Sequence, residues 1–137
     1  MFLFILLALI ACSSEANVYG DVKESKIIVD EERKTLNFYA LIKNDSQKDT
    51  GNLFAKFIIQ NEDLKKALGS GELEFSDKQD KPISFSISAN SGYFITFSNY
   101  YDAQLPPDEL KGAVDVVIYD ENEKEVTRFT IQNVTSQ

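Results

Sequence analysis

Residues 35–43 read Thr-Leu-Asn-Phe-Tyr-Ala-Leu-Ile-Lys, and their alternation decides the fold class. Leu36, Phe38, Ala40 and Ile42 fall on one side of an extended chain, with Thr35, Asn37, Tyr39 and Lys43 on the other. A period of two is what a strand with one buried face needs, because successive side chains leave opposite faces of the pleat. Leu41 interrupts the polar side, so that face is expected to be partly covered as well.

Outward from this stretch the same period recurs. The turn-rich cluster at 44–51 leads into Leu53, Ala55, Phe57 and Ile59, a further strand. Upstream, Ile27-Ile28-Val29 is β-branched and is followed by a charged turn at 30–34. Downstream, strands are predicted at 72–76, at 83–88, where Ile83, Phe85 and Ile87 alternate with serines, and at 93–98, where Tyr93, Ile95 and Phe97 share a face. Pro106-Pro107 interrupts the sheet and introduces one helical turn at 108–111. A last hairpin pairs 113–119 with 125–132. One short helix is predicted over 61–68: Asn61 can cap it, Glu62 and Asp63 suit its first turn, Lys65 and Lys66 come late, and Gly69 stops it. Seven or eight short strands separated by turns predict a mainly β chain, an antiparallel immunoglobulin-like β-sandwich.

At 137 residues the chain has the length of one domain. Its 10 Phe and 6 Tyr supply large surfaces to bury. A formal net charge of −8 repels phosphate backbones, so nucleic acid is not an expected partner, nor is docking on anionic lipid through a basic patch. The chain has no histidine and one cysteine, which removes the usual general base, the commonest metal ligand and any intrachain disulfide. No cofactor is implied. Among its 22 acids a carboxylate pair for glycoside cleavage stays open, although no motif singles two out.

Residues 1–11, MFLFILLALIA, form an apolar run shorter than the roughly 17–25 residues that span a bilayer and of the length of a signal-peptide core. Leu9-Ile10-Ala11-Cys12 then resembles the lipobox of bacterial lipoproteins, although the usual basic residue near the start of such leaders is missing. The resemblance implies that residues 1–11 are removed and that Cys12 carries a diacylglycerol anchoring the chain to a bacterial cell membrane or envelope. Two other readings of these residues stand beside it: a signal peptide cut after Ala16, and a buried N-terminal element. The expected division is a signal peptide at 1–11, a lipidated cysteine and flexible tether at 12–25, and the sandwich at 26–135.

The segment 116–126, Val-Val-Ile-Tyr-Asp-Glu-Asn-Glu-Lys-Glu-Val, resembles the strand-turn-strand signature of small bacterial envelope domains of the FxLYD kind. Those domains are immunoglobulin-like and usually place glycine where Glu123 stands. The departure implies a longer turn here or a left-handed Asn122.

Four aromatics off the inward stripes, Phe54, Phe94, Tyr100 and Tyr101, are the candidate binding residues, since exposed aromatics bury much area with few rotors. The alternative is that the helix and the 100–107 loop cover them. Asp45, Ser46 and Asp49 in one loop, and Asp120, Asn122 and Glu123 in another, are oxygen-rich enough for calcium, but neither follows EF-hand spacing and both suit ordinary turn chemistry. Asn44-Asp45-Ser46 and Asn133-Val134-Thr135 match the glycosylation sequon. The expected function is a lipid-anchored, non-enzymatic binding module with an envelope protein as partner. Its alternative is an envelope hydrolase or accessory subunit using a carboxylate pair.

Overall fold

The computed structural model describes residues 16–137; the leader and Cys12 lie outside the described residues. Eight strands and two short helices follow in the order β1 (Val18–Asp30), β2 (Thr35–Asn44), β3 (Leu53–Ile59), α1 (Glu62–Leu68), β4 (Glu72–Glu74), β5 (Ser91–Tyr100), α2 (Pro107–Leu110), β6 (Val114–Asp120), β7 (Glu125–Thr130) and β8 (Asn133–Ser136). They form two four-stranded sheets, β5-β2-β1-β8 and β4-β3-β6-β7, packed as an immunoglobulin-like β-sandwich. All strand pairs are antiparallel except β1 with β8.

The core lies where the inward stripes of the two sheets meet. Leu36, Phe38, Ala40 and Ile42 of β2 are all fully buried, as the alternation requires, and face Ala55, Phe57 and Ile59 of β3 with Val116 and Ile118 of β6. The Phe38 ring lies 5.3 Å from Phe57 across the sandwich and 5.3 Å from Phe97 within its own sheet. Leu41, pointing the other way, is also nearly buried, so the second face of β2 is covered there.

The expected tether at 12–25 needs correction, because β1 begins at Val18 and its first residues already pair with β2. A bulge between Asp21 and Lys26 scrambles the alternation and hides this strand from a period-two reading. The bulge is closely held. The Asp21 carboxylate accepts from the Lys23 and Glu24 amides at 3.1 Å each. The fully buried Ser25 hydroxyl donates to the Asp21 carbonyl and accepts from the Leu41 amide. Asn133 Nδ2 reaches the carbonyls of Val22, Lys23 and Ser25 from β8.

Residues 83–88 also depart from expectation, forming isolated bridges rather than a regular strand. Phe85 exchanges backbone hydrogen bonds with Leu53, while Ile83 bonds to Phe75. The segment closes the sandwich flank, with Phe85 stacked on Tyr93 at 4.6 Å. The short helix forms as the caps dictate: Asn61 Oδ1 accepts from the Leu64 amide at 2.9 Å, and Gly69 ends the helix at a φ of 75°.

In the final hairpin the left-handed residue is Glu123, at a φ of 62°, and not Asn122. Asp120 fixes the turn by accepting from the Asn122 and Lys124 amides, and the register shifts by one residue beside Tyr119. A left-handed L-residue costs about 1–2 kcal/mol, whereas glycine adds about 0.5–1 kcal/mol of chain entropy loss. Glu123→Gly is therefore expected to stabilise the fold by about 0.5–1 kcal/mol. Denaturant unfolding checks this; a destabilised variant would contradict the turn geometry.

Candidate interaction surface

The four candidate aromatics do not form one site. Phe94 and Tyr100 are exposed on the outer face of β5, separated along the strand by Thr96 and Ser98. Phe54 sits on the other sheet, stacked on Tyr119 at 5.5 Å. Tyr101 is buried in the core with the Lys34 ammonium over its ring, so, contrary to expectation, it is not exposed for recognition. Burial pushes its hydroxyl pKa up, with Glu31 and Asp30 adding to the rise.

What the strands bring together instead is a shallow groove of about 430 Å³ on the outer face of β4-β3-β6-β7. Its floor comes from outward residues of four strands: Lys56 of β3, Glu72 and Glu74 of β4, Tyr119 of β6 and Arg128 of β7. Adjacent strands in register place Lys56 beside Glu74 and Val117, and Val117 beside Arg128. Tyr119 is the centrepiece. Its hydroxyl donates to Glu74, whose carboxylate oxygens lie 2.9 and 2.7 Å away, and the Lys56 ammonium stands 5.6 Å over its ring. Lys56 also pairs with Glu72 at 2.9 Å, and Arg128 with Glu125 at 2.9 Å.

Such an array is preorganised: each long side chain is held by a neighbour, so a ligand would meet fixed charges rather than mobile ones. No local motif announces it, because its parts lie up to 72 residues apart in the chain, from Lys56 to Arg128. The one sequence signal was the outward phase of β6, which puts Tyr119 on the face opposite Val116 and Ile118.

The oxygen-rich loops are occupied by their own backbone. Asn44, buried at the end of β2, donates to the carbonyls of Lys48, Ile87 and Ser88 and accepts from Ser46. Asp49 accepts from the Ala89 amide. Asp120 is committed to the hairpin turn. Among the described residues no group of three or more acidic or cysteine side chains is close enough to hold a metal ion. Asn133, the second sequon asparagine, clamps the β1 bulge through its amide nitrogen.

Burial raises the Tyr119 hydroxyl above its ordinary pKa, and the bond to Glu74 raises it further. A raised pKa in the folded state means stability that is intact below the unfolded tyrosine value near 10 and is lost as pH climbs through the folded one. Tyr119→Phe should therefore remove from the tyrosinate absorbance titration a step that ionises above the ordinary tyrosine range. Loss of a step at the ordinary tyrosine midpoint would show that Glu74 does not hold the proton.

No family model matches the chain, and no curated protein matches it. Solved structures do. A CARDB domain from Pyrococcus furiosus, in complex with di-metal ions, is 12% identical with a TM-score of 0.47, covering 88% of this chain and 90% of that one. The ligand binding region of Serine-glutamate repeat protein A of Enterococcus faecium is 17% identical at 0.39, covering 88% and 97%. Pseudomonas fluorescens alkylpurine DNA glycosylase AlkC, bound to DNA containing an abasic site analog, is 14% identical at 0.45, with 88% of this chain matching 31% of the glycosylase. Likenesses this distant point to no shared activity.

Proposed function

We propose that this chain is a lipid-anchored, non-enzymatic interaction module of a bacterial cell envelope, attached through Cys12 and presenting the groove around Tyr119 to an envelope protein. The observation that supports it most is the groove itself: fixed charges and an aromatic ring on an open sheet face. Recognition uses groups of this kind held in place and accessible to a partner, whereas chemistry on a glycosidic or acyl bond favours a site that excludes water.

The anchor adds position. Five residues, Ser13 to Asn17, separate Cys12 from the start of β1 at Val18, so the first strand stands within about 20 Å of the lipid attachment. The end of the sandwich carrying Val18, Asn44 and Ser91, which are neighbours in register, then faces the bilayer. Confinement to a surface raises the effective concentration of the domain against any partner in the same envelope. Two or three acyl chains suffice for stable attachment, and no described helix is long and apolar enough to cross a membrane.

A second reading, an envelope hydrolase using a carboxylate pair, draws on the four glutamates that line the groove, Glu72, Glu74, Glu123 and Glu125. Three of them are already engaged, by Lys56, Tyr119 and Arg128 respectively for Glu72, Glu74 and Glu125.

Intact mass of the membrane fraction tests the anchor. The expected species begins at Cys12 and carries a diacylglycerol mass, and Cys12→Ser leaves the chain unprocessed or releases it. A soluble, unmodified wild type overturns the proposal. Hydrolysis of a glycan or peptide by the purified chain, abolished in Glu74→Gln, would favour the second reading.

A further inference from the structure

The strand β5 is the edge of its sheet and pairs only with β2 among the described residues. Its sequence, Ser-Gly-Tyr-Phe-Ile-Thr-Phe-Ser-Asn-Tyr, holds no charged residue and no proline over ten positions, in a chain that is 26% charged. Soluble proteins usually blunt such an edge with lysine, proline or a bulge, because a bare row of amides and carbonyls is a template for another strand. Here the pairing to β2 runs in unbroken register through all ten residues. The Tyr101 amide continues that ladder to the Lys34 carbonyl, so by alternation Ser91, Tyr93, Ile95, Phe97 and Asn99 bond to β2. Gly92, Phe94, Thr96, Ser98 and Tyr100 turn their backbone groups outward, and all five are exposed; the Tyr100 amide donates to Asn99 Oδ1 at 2.9 Å.

We propose that this edge binds a second copy of the same chain, β5 against β5 about a two-fold axis at Thr96, joining two four-stranded sheets into one of eight. The strand fits itself. Antiparallel pairing centred on Thr96 sets Phe94 opposite Ser98 and Gly92 opposite Tyr100, and every one of these pairs uses backbone groups that β2 does not, the Tyr100 amide exchanging Asn99 Oδ1 for the carbonyl of the other copy's Gly92. Tyr100, 76% exposed in the single chain, gains a partner. Its ring covers the Gly92 of the other copy, where no side chain stands, beside Phe94 and Leu41. An aromatic across from an edge glycine is a stabilising pairing between strands. With no charge along β5, no like charges meet at the axis despite the acidic surface elsewhere. A charged peptide would find no complementary group along the strand, and this favours the second copy as occupant.

Sedimentation of the full-length chain in non-ionic detergent, with the detergent mass subtracted, tests the pairing. The wild type is expected to be a dimer. Thr96→Lys places two ammonium groups against each other at the axis and should weaken association at least tenfold. Thr96→Pro deletes an outward amide that β2 does not use and should do the same, with far-ultraviolet circular dichroism unchanged in both. A monomeric wild type overturns the proposal, whether the edge is then left bare or covered by residues 1–15, and so does a dimer that both substitutions leave intact while folded.

Discussion

The contact of Phe38 with Phe57 is the constraint on which the rest of the structure depends. Phe38 occupies the middle of β2, itself flanked by β1 and β5, and Phe57 occupies β3, flanked by β4 and β6. Closing one ring against the other sets the two sheets face to face and commits every strand to a phase. Once Phe38 points inward, Leu36, Ala40 and Ile42 follow, and Tyr39 and Lys43 must point out. On the second sheet the same commitment turns Lys56 and Tyr119 away from the core. The surface described around Tyr119 is thus the reverse side of the core, produced by the same alternation.

That linkage explains which parts of the molecule were legible in sequence. β2, β3 and the last hairpin carry three or four inward apolar residues each, enough for period two to rise above accident. Helix α1 was legible for a different reason: cap chemistry at Asn61 and Gly69 is local and leaves a local signature. β8 was not legible, because an edge strand of four residues needs only one inward side chain, and Val134 alone among Asn, Thr and Ser gives no pattern. The first half of β1 was obscured by its bulge. At 83–88 the alternation was real, with Phe85 and Ile87 buried, but burial on one side does not guarantee a continuous ladder.

Tyr101 shows how a phase can be misjudged at a boundary. A strand ending at Ser98 leaves Tyr101 in a loop with no assigned face. Because β5 runs to Tyr100 and the ladder continues to Lys34, the odd-numbered positions keep their inward phase through Tyr101, which is buried. The groove was illegible for a deeper reason. Its side chains come from four strands, and their adjacency exists only once β4-β3-β6-β7 is assembled in register.

Both sheets therefore have an inner face specified by strong local pattern and outer features specified only by topology. Phe38 joins the sheets, and its outward-facing strand neighbour Tyr39 provides the control. Urea unfolding of Phe38→Ala and Tyr39→Ala, compared with wild type, measures it most directly. Phe38→Ala should lose about 3–5 kcal/mol of stability, the range for removing a buried ring, and Tyr39→Ala clearly less. Equal losses, or a greater loss at Tyr39, would contradict the sandwich as it is described.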